Sequence, residues 1–237
     1  MKKPFRKTEI GKLITKFNNR ILASRKFLYQ HNHNFTSTDQ KNLFIFGCQR
    51  SGTTLIGQVL DKDLRSAILQ EKSCLTENDG QSLRFKPLER VKHEIENLKA
   101  PFVVSKPLVE SHKAISIIDY IPSSYGLWVF RNFKDVVASN LKRFSTQIQG
   151  IEMAINSDPP SYRSEIADLG SRKILKKFYN KGITEADAAA LGWFSINQLY
   201  FYLHLNNNKK FMLFKYEDFA EHPQMMVKLL YKFIDYP

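Results

Sequence analysis

The stretch that decides the fold runs from Leu43 to Asp61 and reads LFIFGCQRSGTTLIGQVLD. The apolar segment Leu43–Phe46 predicts a strand, and the small and polar residues of Gly47–Thr54 predict a loop. The residues that follow predict the start of an amphipathic helix. In this layout, backbone N–H groups and a helix N-terminus point at an anion. The stretch therefore predicts a P-loop-like loop that binds a phosphate group.

This loop departs from the nucleoside triphosphatase pattern at one position. The spacing from Gly47 to Gly52 fits the first part of G-x-x-x-x-G-K-[ST]. However, Thr53 stands where that motif has its lysine, and Arg50 lies three residues earlier. In a triphosphatase the lysine reaches the outer phosphates. We therefore expect the loop to hold a nucleotide phosphate without splitting a triphosphate.

Length and composition favour a soluble globular protein with one domain. The chain has 237 residues, of which 43% are hydrophobic and 25% are charged. Its apolar runs are too short to span a bilayer, and its N-terminus lacks the apolar stretch of a secretory signal. Its two cysteines, Cys48 and Cys74, lack metal-ligand spacing. We expect a cytoplasmic location and no metal site.

The net charge of +13 predicts attraction to anions, but does not choose among nucleic acid, membranes and metabolites. Nine basic residues and one acidic residue lie in residues 1–26. Apolar residues recur there at helical spacing: Ile10, Leu13, Ile14, Phe17 and Ile21. Such a helix could pack this stripe on the domain, or lie on a membrane surface or a partner. We assign residues 1–41 to a basic helix and a polar linker (28–41), and expect no nucleic-acid partner.

Strands alternate with helices over residues 42–237, which predicts an α/β domain of three α/β/α layers with a mostly parallel central sheet. The predicted strands are Leu43–Phe46, Ala67–Gln70, Pro101–Ser105, Gly126–Phe130 and Phe211–Phe214. Ligands of such sheets bind beyond the carboxyl ends of the strands. Glu71, Lys106, Arg131 and Lys215-Tyr216 each come just after a predicted strand. We expect them to meet the phosphate loop at one edge.

The connecting segments are less regular. The predicted helices are Glu89–Lys99, Ile115–Ile121, Lys134–Phe144, a long helix from an N-cap at Thr184 to about His204, and Gln224–Phe233. Residues 76–88 are predicted to form a loop, and residues 150–183 a mixed segment broken at Pro159-Pro160. We expect the loops that contact a second substrate to come from residues 72–88 and 145–183.

A second phosphate site is predicted around Arg131. Arg131 ends a predicted strand, and Ser139 lies eight residues later in the next helix. A guanidinium and a hydroxyl from adjacent elements can bind a phosphate dianion, and Arg143 falls one turn beyond Ser139. An exposed arginine beside a solvated serine is the competing interpretation. Two phosphate sites in one domain suggest a nucleotide with phosphates at both ends of its ribose.

Three motifs resemble those of the PAPS-dependent sulfotransferases. GCQRSGTTL resembles their 5′-phosphosulfate loop, especially in the Golgi and bacterial branches that carry R-S-G-T-T. VFRNFKDVVASNL resembles their 3′-phosphate element, and FKYEDFAEHP resembles their Y-E-D-L segment. The motifs occur in the family's order across roughly residues 43–235.

The resemblance implies a role for each matching residue. It places Arg50, Ser51, Gly52, Thr53 and Thr54 on the 5′-phosphosulfate, and Arg131 and Ser139 on the 3′-phosphate, with Arg143 matching a further 3′-side arginine of the tyrosylprotein sulfotransferases. It places Tyr216 near the nucleotide and Glu71 as general base, and it makes Lys106 the lysine that steadies the transferring group. Arg50, Lys106 and the loop amides would stabilise the charge on the leaving group.

The implied reaction is metal-free, in-line sulfuryl transfer from PAPS to a hydroxyl or amine, which releases 3′,5′-ADP. The acceptor is expected to be a carbohydrate, a lipid or another small molecule. One departure is that the chain stops at Asp235-Tyr236-Pro237, without the glycine-rich segment that closes over the 3′-phosphate in many cytosolic relatives. The reading frame could therefore be truncated, or the site could be more open than in those relatives. A nucleotide kinase, a polyanion-binding protein and a catalytically degenerate family member are the alternatives.

Overall fold

The computed structural model describes residues 9–32, 40–156, 158–179 and 182–237, with the side chains of α1 from Phe17 onward. The helices are α1 (Glu9–Asn32), α2 (Thr53–Leu60), α3 (Leu88–Glu96), α4 (Ala114–Tyr120), α5 (Phe133–Leu141), α6 (Gln147–Ile155), α7 (Tyr162–Ile166), α8 (Arg172–Phe178), α9 (Glu185–Asn197), α10 (Leu199–Tyr202), α11 (Tyr216–Glu221) and α12 (Pro223–Phe233). The strands are β1 (Lys41–Gly47), β2 (Ser66–Leu69), β3 (Thr76–Asn78), β4 (Leu83–Phe85), β5 (Phe102–Ser105), β6 (Ser124–Phe130) and β7 (Phe211–Lys215).

The central sheet has the strand order β2-β5-β1-β6-β7, and every neighbouring pair is parallel. β1 lies in the middle and is buried on both faces, which explains its continuous apolar sequence. Phe44 and Phe46 pack towards α3, α4 and α10, whereas Leu43 and Ile45 pack towards α2 and α12. The predicted three-layer α/β/α fold is confirmed.

Two connecting segments differ from the sequence-based prediction. The predicted loop at 76–88 contains an antiparallel hairpin, in which Thr76 of β3 pairs with Phe85 of β4. Most of the described part of 150–183 is helical, and its apolar residues form a separate small core that includes Ile151 and Leu175. The helices there are short and are separated by a proline pair and a kink at Gly170, so no long helical period is visible in the sequence.

The other predicted helices are present with shifted ends, except that the long helix predicted from Thr184 to about His204 is divided at Gln198 into α9 and α10. Thr184 caps α9 through a reciprocal capping box with Asp187. The helix predicted to run to Phe144 ends at Leu141, and Arg143 lies in the following turn, where its N–H donates to Asn140 O. No helix in the described ranges combines the length and apolar character that crossing a bilayer requires.

Helix α1 contacts the domain through polar side chains. Lys26 Nζ pairs with Asp61 Oδ1 at 2.6 Å, and Gln30 Nε2 donates to Leu64 O at 3.1 Å. Phe17 and Ile21 are instead exposed, by 64% and 44%. Of the two placements left open for this stripe, packing on the domain does not hold for these two residues. The predicted linker begins later than residue 28, because α1 continues to Asn32, while residues 33–39 lie outside the described ranges.

Candidate active site

The phosphate loop between β1 and α2 depends on two glycines. Gly47 has a φ of +119°, and a Cβ there would lie 2.6 Å from Val129 O of the neighbouring strand. Gly52, the N-cap of α2, has a φ of +90°, and its Cβ would lie 2.1 Å from the Tyr216 ring. A side chain at either position would displace the loop, so both glycines are needed for its path.

The loop presents hydrogen-bond donors that have no protein acceptor. Among the described residues, no acceptor faces the backbone N–H groups of Gly52, Thr53 and Thr54 at the start of α2. The Ser51 hydroxyl, fully buried within the loop, also lacks a partner. Unpaired donors at a helix N-terminus form an anion site, because the helix dipole and the N–H groups favour negative charge together.

Arg131 points from the end of β6 towards this loop. Its Nη1 donates to Arg50 O at 3.3 Å, and Arg50 Nε donates to Ser139 Oγ at 3.0 Å. The loop and the predicted second phosphate site therefore adjoin each other. The competing interpretation of an exposed arginine beside a solvated serine does not hold, because Arg50, Arg131 and Ser139 line one cleft.

Several contacts fix the position of Arg131. Its guanidinium lies 4.3 Å from the centre of the Tyr216 ring, and Trp193 Nε1 donates to its carbonyl at 2.9 Å. The closest carboxylate, Asp135, is 3.7 Å from Nη2, and Nε is buried without a partner. These contacts hold Arg131 in place, while its Nε remains without a hydrogen-bond acceptor.

Lys106 and Glu71 meet on the other side of the loop. Lys106, which is 7% exposed, follows β5, and its Nζ donates to Thr54 Oγ1 at 2.9 Å and lies 3.1 Å from Glu71 Oε1. Glu71 follows β2, and its side chain is 42% exposed. The carboxyl ends of β5 and β2 thus bring a buried ammonium and an accessible carboxylate next to the phosphate loop.

These residues surround one cleft of about 530 Å³. The predicted site residues that line it are Arg50, Gly52, Thr53, Thr54, Glu71, Arg131, Ser139 and Arg143. Ser51, Lys106 and Tyr216 lie behind or beside its walls. Lys215 does not join them, because it is exposed and pairs with Asp218.

Five residues that line the cleft were not predicted from the sequence: Gln49, Leu55, Gln58, Leu108 and Phe144. Gln58 lies one turn after Thr54 on α2, so helical spacing could have found it. Trp193 also supports the site by donating to Arg131 O. Its position depends on the packing of α9 against α5, which the sequence does not reveal.

A second pocket of about 230 Å³ adjoins the cleft at Glu71. Gln49 and Glu71 line both, and the new pocket adds the β3–β4 turn at Gln81 and Ser82 as well as Tyr162. Glu71 therefore stands between the phosphate loop and a polar pocket open to a second molecule.

A separate group of charged residues lies behind this pocket. Arg84 Nη2 lies 3.2 Å from Glu110 Oε2 and 3.0 Å from Glu165 Oε2, and His112 Nε2 lies 2.7 Å from Glu165 Oε2. We call these four residues, with Lys113, the Arg84 cluster. His112 is 8% exposed and is paired within this cluster.

The fold and the cleft together define an α/β protein with a P-loop-like phosphate loop. The family model described as "Sulfotransferase domain" matches residues 40–237. The chain belongs to this family and is a sulfotransferase. The family uses PAPS as donor. The match decides against the kinase alternative, whereas the branch within the family stays a prediction.

Solved sulfotransferase structures resemble the chain at low identity. The sulfotransferase domain from the curacin biosynthetic pathway has a TM-score of 0.48 at 15% identity, over 84% of this chain and 75% of that one. The enzyme from Alicyclobacillus acidocaldarius has a TM-score of 0.49 at 16% identity, over 84% and 82%. Mouse sulfotransferase SULT7A1, solved with PAP, has a TM-score of 0.46 at 12% identity, over 86% and 61%. No curated protein sequence matches at a significant level.

Proposed function

We propose that this sulfotransferase binds PAPS across the cleft, with the 5′-phosphosulfate on the loop and the 3′-phosphate at Arg131 and Ser139. The observation that carries the proposal is the contact chain in which Arg131 reaches the carbonyl of Arg50, and Arg50 reaches the hydroxyl of Ser139. This chain puts two anion sites side by side, as one nucleotide with phosphates on both faces of its ribose requires.

The residues present suit such a ligand. The loop offers three free N–H groups and the buried Ser51 hydroxyl, and the 3′ side offers the free Nε of Arg131. Arg50 and Arg131 line the same cleft, and the Asp135 carboxylate lies 3.7 Å from Arg131. A bound phosphate would relieve the repulsion between like charges and satisfy the free donors. Arg143, on the turn after α5, can add a further cation.

The bound donor would supply a sulfuryl group attached to a phosphate leaving group. We assign to Lys106 the stabilisation of charge on the bridging oxygen, since its ammonium is buried beside Thr54 at the start of α2. Arg50 and the loop N–H groups assist it. Positive charge fixed in place before the reaction needs no rearrangement as negative charge develops. Because these groups supply that charge, the proposal requires no metal ion.

We assign the general-base role to Glu71. Its carboxylate lines both the cleft and the adjoining polar pocket, so it can reach an acceptor hydroxyl or amine next to the sulfuryl group. Lys106, 3.1 Å away, orients it. The acceptor class we propose is a hydroxylated small molecule, a carbohydrate or a lipid headgroup, because Gln49, Gln81, Ser82 and Tyr162 line the pocket.

A nucleotide panel tests the donor assignment. We expect 3′,5′-ADP and PAPS to raise the melting temperature of the protein by several degrees at micromolar concentration, with or without Mg²⁺. AMP and ATP lack the 3′-phosphate, so they should give clearly smaller shifts. Equal shifts from AMP and 3′,5′-ADP would contradict the proposal.

We further propose that residues 1–26 bind an anionic membrane surface. Phe17, Ile21 and Leu28 lie on one face of α1, exposed by 64%, 44% and 58%, and Arg20 and Arg25 flank them. Exposed apolar residues flanked by cations are the pattern of a helix that lies in an anionic interface.

Flotation with vesicles tests this membrane proposal. Phosphatidylcholine vesicles with 30% phosphatidylserine should bind the protein, pure phosphatidylcholine vesicles should bind much less, and the double variant Phe17→Ser, Ile21→Ser should not bind. The proposal would be contradicted if the wild type did not bind vesicles but formed a dimer that the same variant dissociates. That result would assign the exposed face of α1 to contact with a second copy of the chain.

A further inference from the structure

Arg163, on α7, differs from the other half-buried arginines of the molecule. Arg84 binds Glu110 and Glu165, Arg65 binds Asp63, and Arg172 binds Asp168. Arg163 has no carboxylate or carbonyl partner among the described residues, and its guanidinium lies 5.1 Å from the centre of the Tyr162 ring. A half-buried cation without a counter-charge is costly unless a ligand supplies one.

Arg163 lines a pocket of about 70 Å³ between the phosphate loop and helices α5, α6, α7 and α9. Ser195 of α9 lines the same pocket, and its hydroxyl is buried without a partner. The pocket therefore has two donors that lack an acceptor within the described protein. An arginine fork and a hydroxyl on one small pocket form a site for a group the size of a carboxylate.

Two neighbours keep this site open and positively charged. Gly150 of α6 leaves the space that the guanidinium needs, because a Cβ there would lie 3.2 Å from Arg163 Cζ. Cys48, which also lines the pocket, cannot supply the missing negative charge. Burial raises the pKa of its thiol to about 12, although the nearby charge of Arg163 lowers it in part. The thiol is therefore neutral near pH 7.

The pocket connects with the site already described. Gln49 lines it together with the nucleotide cleft and the polar pocket beside Glu71, and Tyr162 lines it together with that polar pocket. A molecule that presents its hydroxyl to Glu71 can therefore extend past Gln49 to Arg163.

We propose that Arg163 and Ser195 bind an anionic group on the acceptor, and that the enzyme prefers acceptors that carry a carboxylate or another small anion near the reacting hydroxyl. This inference rests on the proposed function, because it takes the acceptor to enter beside Glu71. It narrows the acceptor class to hydroxylated molecules with one anionic end.

Two probes that differ only in charge test the inference. 4-Hydroxybenzoate and 4-hydroxybenzamide have nearly the same shape, and only the first is an anion at pH 7.5. We would titrate each into protein saturated with 3′,5′-ADP, which occupies the cleft, and measure affinity by calorimetry in a buffer of low ionic strength. We expect the wild type to bind the carboxylate at least tenfold more tightly than the amide.

Matched variants assign the preference to Arg163. Arg163→Gln should lose the preference while Arg163→Lys keeps part of it, and Arg90→Gln, which changes an exposed arginine of α3, should keep all of it. Equal affinity of the wild type for both probes, or no binding of either, would overturn the inference, as would an unchanged preference in Arg163→Gln. Failure of the wild type to bind 3′,5′-ADP would instead count against the proposed function.

Discussion

The phosphate-loop cleft and the Arg84 cluster both place arginine side chains close to the carboxyl edge of the sheet, but their charges are paired differently. Arg84 pairs with Glu110 and Glu165 and lies 3.8 Å from Asp79, and Glu165 also binds His112. In the cleft, Arg50 contacts a hydroxyl, and Arg131 lies over an aromatic ring with a buried Nε that has no partner.

This difference in charge pairing suits the Arg84 cluster to stabilising the fold and the cleft to binding a ligand. A buried cation that is paired by carboxylates has its requirements met within the protein, so it ties elements together. The Arg84 cluster joins β4, the turn at 108–113 and α7, which are elements that line the pocket beside Glu71. The cleft keeps its donors free, as a site for an anionic ligand must. Variants of the cluster should therefore change stability, whereas variants of the cleft should change binding or turnover.

The largest expected effect is on stability, from Glu110→Gln. Glu110 is 3% exposed and accepts hydrogen bonds from Arg84 and from Phe85 N–H. Because removing one partner of a buried ion pair leaves the other uncompensated, we expect the free energy of unfolding to fall by about 3 kcal/mol in urea denaturation. Below the melting temperature, the affinity for 3′,5′-ADP should be unchanged.

Glu96→Gln is the matched control for that variant. Glu96 pairs with Lys92 on the surface of α3 at 3.8 Å, so its loss should cost about 0.5 kcal/mol or less. Similar losses of unfolding free energy in Glu110→Gln and Glu96→Gln would show that the Arg84 cluster does not stabilise the protein.

The next effect is on catalysis, from Glu71→Gln. The substitution keeps the shape of the side chain and removes its ability to accept a proton, so kcat should fall by about 100-fold or more, while the affinity for 3′,5′-ADP stays the same. Release of 3′,5′-ADP from PAPS would be measured with an acceptor present. Glu77→Gln, an exposed carboxylate of β3, is the control. Wild-type turnover in Glu71→Gln would exclude Glu71 as the base.

The smallest effect is a loss of stability in acid, which should trace to the Arg84 cluster. Burial lowers the pKa of His112, although its bond to Glu165 and the charge of Glu110 act in the opposite direction. Burial raises the pKa of Glu165, but hydrogen bonds from Arg84 and His112, with the charge of Lys113, bring it down to about 2. Both groups bind fewer protons in the folded state, so the free energy of unfolding should fall as the pH drops.

The two groups act in different pH windows. The His112 contribution is lost as the pH falls below about 6.5, and the Glu165 contribution is lost between about 4.5 and 2. Urea denaturation from pH 7.5 to 5 should therefore show a decline that His112→Asn reduces. An equal decline in that variant would assign the pH dependence to other groups.

The sequence predicted the sheet and the cleft because both depend on local patterns. Apolar runs identify the five parallel strands, and a parallel sheet brings the residues after each strand to one edge, so Arg131, Lys106 and Glu71 could be expected to meet the loop. The resemblance added roles to these residues, which stay predictions until the variants are measured.

The rest depends on contacts between distant parts of the chain. Glu110 and Glu165 lie 26 and 81 residues from Arg84, and no spacing rule relates them. The sequence also does not show that the guanidinium of Arg163 lacks a carboxylate partner, because this depends on which residues lie near it in the fold. The sequence left the placement of the apolar stripe of α1 open, because such a stripe shows amphipathicity but not which side of the helix meets the domain.

Recognition of the 3′-phosphate by Arg131 is the central claim of the proposed function. The direct test is calorimetric titration of the wild type, Arg131→Ala and the surface control Arg90→Ala with 3′,5′-ADP and with AMP. We expect Arg131→Ala to weaken 3′,5′-ADP binding by about 100-fold while AMP binding changes by less than about threefold, since AMP lacks the phosphate that this guanidinium binds. An equal loss of affinity for both nucleotides, or no loss for either, would contradict the two-site cleft.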